Sequence, residues 1–224
     1  MAGMNPANRL AQISFTAGPA ALLAGWFLLR PLGGGLEPGL WWTAAQVAWL
    51  AAFAMFGVMT LAVRGLAGPV AGGWRVAVDT VTGLALLGVA ANLAQLGIGL
   101  YAGLTAADGE AMSGLLEHVR GFPGVEPVVY GAGAQLFYAA VLAQAVVLAL
   151  LRRVTPVSAA VTVAGVALLA VATWEEGEGS ALVALGMAML WLGTLLLGRG
   201  TSGGPGPRDQ GSAMSARTSR ELLT

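Results

Sequence analysis

The chain contains no cysteine and no lysine, one histidine, and few charges of either sign: 11 basic and 11 acidic side chains in 224 residues. Without cysteine there are no disulfides, thiolate metal sites, iron-sulfur clusters or cysteine nucleophiles. With His118 alone, histidine-paired haem, zinc triads and histidine-containing hydrolase triads cannot be assembled. No glycine-rich phosphate loop and no pair of intramembrane aspartates occurs, so neither an enzyme nor a cofactor is expected. What remains is apolar. Hydrophobic residues make up 57% and charged residues 10%, against roughly a quarter charged in an ordinary soluble domain.

The apolar residues are gathered into runs near 10–29, 40–63, 76–104, 127–151, 156–174 and 180–198. Each supplies the roughly 20 residues that cross a hydrocarbon core as helix. The expectation is an all-α, polytopic membrane bundle of six transmembrane helices over residues 1–198, followed by a disordered tail over 199–224. Glycine and proline punctuate the runs: Pro31, Gly33, Gly34 and Gly35 after the first, Gly65, Gly68 and Pro69 after the second. Glu126–Pro127 and Thr155–Pro156 read as helix starts. Gly18–Pro19 reads as an interruption of the first span, either a kink or a binding element. Arg9 before an apolar stretch resembles a signal peptide, but no cleavage site comes after it, so a retained helix is expected.

Arginine sets the expected orientation. With the N-terminus inside, Arg9, Arg64, Arg75, Arg152, Arg153, Arg199, Arg208, Arg217 and Arg220 face the cytoplasm, and only Arg30 and Arg120 lie outside. Both termini are therefore expected in the cytoplasm and the protein in the cell membrane. Trp26, Trp41, Trp42, Tyr101, Tyr130 and Trp174 near the outer ends fit an interfacial belt. Over residues 105–120, Thr105 and Asp108 suggest a capping box, and Met112, Leu115, Leu116 and Val119 recur at helical spacing. An external amphipathic helix is expected there.

Polar groups inside lipid are costly unless paired, so the short intramembrane inventory bounds the function. Asp79 is either a transport residue or an anchor paired with Arg75 at i−4. Gly88, Asn92, Gln95 and Gly99 share one face of the third span, Gln46 lies on the second, and Gln135 with Tyr138 on the fourth. These faces could line a pathway or ligand cavity, or make interhelical hydrogen bonds worth about 0.6 kcal/mol each. Glu175, Glu176 and Glu178 form an acidic turn, a candidate external cation site through oxygen ligands or simply a solvated loop.

With six spans, an acidic outer side, an arginine-lined inner side and the stretches WWTAAQVAWLAAF (Trp41 to Phe53) and ALVALGMAMLWLG (Ala181 to Gly193), residues 9–199 resemble six-helix integral membrane proteins of actinobacterial type. That resemblance implies a family without an established activity and carries over no functional residue. The expected function is non-enzymatic binding or scaffolding in the membrane, and the alternative is a small-solute or cation transporter or channel. The expected partners are the lipid bilayer and either a second copy or a membrane protein, not nucleic acid.

Overall fold

The computed structural model describes residues 6–32, 37–175 and 181–199, with side chains omitted at Pro31, Leu32, Ala134 and 173–175. Among the described residues there is no strand. The helices are α1 (Pro6–Phe27), continued by a π-helical turn (Leu28–Leu32), α2 (Leu40–Ala67), α3 (Gly73–Thr105) and α4 (Gly109–Arg120). A second π-helical turn (Glu126–Gly131) leads into α5 (Ala132–Leu150), and then come α6 (Pro156–Glu175) and α7 (Ala181–Arg199).

Five of the helical segments are long and apolar enough to cross a membrane: Pro6–Arg30, Leu40–Ala67, Gly73–Thr105, Glu126–Leu150 and Ala181–Arg199. Helix α6 has 20 residues, of which Pro156–Ala172 form a shorter apolar stretch. A helix satisfies its own backbone hydrogen bonds, which makes such segments compatible with lipid on their outer faces. Those faces carry exposed Leu61, Leu87, Val157, Leu185 and Leu192, as a bundle facing hydrocarbon would.

The six long helices close into a ring. Each packs on its neighbours in the order α1, α2, α3, α5, α6, α7 and back to α1, and the closest pairings are α6 with α7 and α1 with α2. Small residues permit the approach of α6 to α7: a side chain at Gly165 or Gly186 would run into the backbone of Leu190 or Leu169. Across the ring the main contact is between α2 and α5, where Phe53, Phe56 and Phe137 meet with ring centroids 4.9–5.5 Å apart.

The two ends of the ring differ chemically. One carries Arg9, Arg64, Arg75, Arg152, Arg153 and Arg199 at helix termini and turns. The other carries α4, whose Met112 is 1% exposed and packs with Leu29, Trp42, Ala45 and Ala102. Helix α4 thus lays its apolar stripe on the bundle. It begins four residues later than the sequence pattern suggests. Thr105 is the last residue of α3, its hydroxyl bonded back to the Tyr101 carbonyl (2.8 Å), and Asp108 caps α4 by accepting from Ala111 N (2.8 Å).

Two further expectations are corrected. Gly18 and Pro19 do not interrupt α1, which runs through them; both are buried, with Gly18 against Met55 and Phe56 of α2. Trp26 and Trp42 are not belt residues, being 8% and 6% exposed. The Trp42 indole nitrogen donates to the Gly99 carbonyl at 2.9 Å, so its polar edge is satisfied inside the bundle rather than at an interface.

Candidate functional site

The α4 half of the ring is hollow. A cavity of about 260 Å³ lies along its axis, and all six long helices contribute to the wall. Polar groups come from Arg30, Asn92, Gln95, Tyr130, Gln135 and Tyr138. The remaining surface is aromatic and aliphatic, chiefly Trp26, Trp49, Phe53, Leu169 and Met187. An apolar chamber with a few converging polar groups is the ordinary form of a small-ligand site.

Local geometry explains how each polar group arrives. Asn92 and Gln95 project from α3 one turn apart, and the Asn92 amide is steadied by donating to the Gly88 carbonyl at 2.8 Å. Gln135 and Tyr138 have the same i, i+3 relationship on α5. Arg30 and Tyr130 instead sit on the two π-helical turns, Leu28–Leu32 and Glu126–Gly131. A π turn inserts one residue and so rotates the rest of its helix, and such turns recur at functional sites. Gly133 makes the second turn feasible, because any side chain there would collide with the Val128 carbonyl oxygen.

Above Tyr130 lies Arg120, its guanidinium 4.4 Å from the ring centroid, and Arg120 also reaches Glu126 at 3.7 Å. The Tyr130 hydroxyl is buried, with the Arg120 guanidinium beside it. Trp49 is held in the wall by donating from its indole to the Leu22 carbonyl at 3.0 Å.

Toward the arginine-rich end the cavity is closed by an aromatic layer. Phe56 and Phe137 are both 0% exposed, Met59 is 2% exposed, and Phe53 forms the floor. Gly88 lets the α5 backbone approach α3 here, since a side chain would strike Phe137. Beyond this layer a void of about 10 Å³ is bounded by Arg64, Thr82 and Gln144. Gln144 is 6% exposed and its amide nitrogen makes no hydrogen bond among the described residues.

Of the residues singled out in the sequence, Asn92, Gln95, Gln135 and Tyr138 surround one cavity. Gln46 does not join them. It shares a face of α2 with Trp49 and Phe53 but sits about two turns from Phe53 toward the α4 end, where it is 5% exposed and packs beside Gly99. Asp79 stands apart at the arginine-rich end. Its main partner is Arg64 of α2 at 2.7 Å; Arg75, the partner expected from i−4 spacing, is more distant at 3.8 Å. The side chains of Glu175, Glu176 and Glu178 lie outside the described residues. Among the described residues no cluster of three His, Cys, Asp or Glu could hold a metal ion.

Sequence spacing did not place Arg30, Tyr130, Trp49 or Arg64. The first two depend on the π turns, whose one sequence signal is Gly133 after Pro127. The last two are contacts between helices, which spacing along one helix does not encode. No protein-family profile, curated protein or solved structure matches this chain.

Proposed function

We propose that the chain is a six-span protein of the cell membrane, with both termini cytoplasmic, that binds a small ligand non-enzymatically in the cavity of its α4 half. The carrying observation is the pairing of a hollow, polar-lined half with a solid half of the same ring. The arginine distribution supports placing the solid end in the cytoplasm. Three carboxamides, two phenols and a guanidinium can fix an oxygen-bearing group while the indoles and aliphatic side chains cover its apolar part.

The test is native mass spectrometry of protein released from mild detergent, with thermal unfolding in parallel. An added mass on the wild type, lost when Gln95→Trp fills the chamber, supports the reading. A bare wild-type chain whose unfolding temperature is unmoved by a total membrane extract counts against it, because a ligand selective for the folded state must stabilise that state.

A transporter is the second reading, favoured by the phenylalanine layer that divides the cavity from the void at Arg64. Under it, Phe137→Ala raises solute leak in proteoliposomes while the chain still folds. Under the binding reading, the same variant stays tight or unfolds.

A further inference from the structure

The rim of the cavity points to where its occupant comes from. Gln135 of α5 and Ala170 of α6 both line the chamber, and both are exposed. They belong to the two helices of the α5–α6 seam, where neighbouring helices meet least extensively in the ring. The chain joins the two helices at the far, arginine-rich end, through the turn containing Arg152 and Arg153.

Depth is fixed by helix geometry. Ala170 lies five residues before the end of α6 at Glu175, about 7.5 Å along the axis. Gln135 lies nine residues into the segment that begins at Glu126, about 13 Å. For helices that cross a bilayer, both positions fall inside the hydrocarbon layer rather than at the headgroups. An opening at that depth faces acyl chains.

Size and chemistry narrow the occupant. About 260 Å³ is slightly below the roughly 300–1,000 Å³ of pockets that enclose a whole drug-sized molecule. A head group fits, and a long tail must remain outside. Arg30, Gln95, Gln135 and the Tyr130 hydroxyl are hydrogen-bond donors on the wall. We infer that the cavity takes the hydrogen-bond-accepting head of a membrane-dissolved amphiphile, which enters sideways from the α4-side leaflet between Gln135 and Ala170 and leaves its tail in the lipid. This rests on the binding reading above and specifies its ligand class and route.

The absence of native cysteine permits a direct test in proteoliposomes. A thiol is introduced on the wall by Gln95→Cys and, on the facing helix, by Met187→Cys. Each is offered the same reactive group in two forms: hexadecyl methanethiosulfonate, which partitions into lipid, and trimethylammonioethyl methanethiosulfonate, which stays in water. Leu87→Cys, on the exposed face of α3, reports ordinary lipid access.

The inference expects the hexadecyl reagent to modify both wall thiols. Adding Ala170→Trp then slows that reaction about tenfold or more without affecting Leu87→Cys. Ala170→Leu, a milder change, slows it less. Modification by the ammonium reagent alone, or a hexadecyl rate indifferent to residue 170, overturns the lateral route while leaving a water-filled binding cavity. If neither reagent reaches either wall thiol, the binding reading fails together with the route.

Discussion

The indole of Trp49 sits over Gly25, its nitrogen bonded to the Leu22 carbonyl three residues earlier on the same helix. A methyl group at Gly25 would occupy the place of that ring nitrogen. Overpacking of this kind costs about 1–3 kcal/mol, so Gly25→Ala is expected to lower stability by that amount. Trp49→Phe keeps the ring volume in part and loses one buried hydrogen bond, for a smaller loss of about 0.6–1.7 kcal/mol. Equilibrium unfolding in detergent ranks the two. A Gly25→Ala protein as stable as wild type would show that the indole is not seated there.

Asp79 joins α2 to α3 more than it steadies α3 itself. The Arg64 contact is 2.7 Å and the Arg75 contact 3.8 Å, but the carboxylate is 44% exposed, which limits what either is worth. Double-mutant cycles on unfolding should give a larger coupling for Arg64 with Asp79 than for Arg75 with Asp79, each below about 1 kcal/mol. The reverse order would mean that the i−4 pairing dominates after all.

Arg152 ends α5 in a left-handed conformation, φ 55°, and its own nitrogen and that of Arg153 return to the carbonyls of Ala149 and Leu148. This is the glycine position of a Schellman turn, occupied here by a β-carbon-bearing residue. Arg152→Gly is therefore expected to stabilise the folded chain by about 1 kcal/mol. Chemical denaturation of the two proteins side by side checks the sign.

Asp108 holds the first turn of α4 through a single bond to Ala111 N, 2.8 Å. Asp108→Ala should cost α4 about 0.5–2 kcal/mol, and Asp108→Ser much less. Amide hydrogen exchange gives the local readout: faster exchange in residues 109–120, with α2 and α3 unchanged. Acceleration throughout the ring would instead make α4 part of the global fold.

The legible parts of the molecule were those governed by periodicity within one helix. The apolar runs gave the helices, and the three-residue steps from Asn92 to Gln95 and from Gln135 to Tyr138 put each pair on one wall of the cavity. Contacts between helices were not legible. Gln46 carries the same carboxamide as Gln95 and shares a face of α2 with Trp49 and Phe53, yet it packs against Gly99 because it sits about two turns from Phe53 toward the α4 end, at the level of a different α3 neighbour. Arg30 and Tyr130 escaped for a different reason: the π turns shift their register by one residue, and a pattern of 3.6 residues per turn assigns them the wrong direction.

The phenylalanine layer gives the ring unequal stiffness along its length. Close-packed interiors resist compression, whereas a void yields. A lateral load on the bundle would therefore be taken up first by the half with empty space at its centre, while the end bearing the guanidinium groups holds its shape.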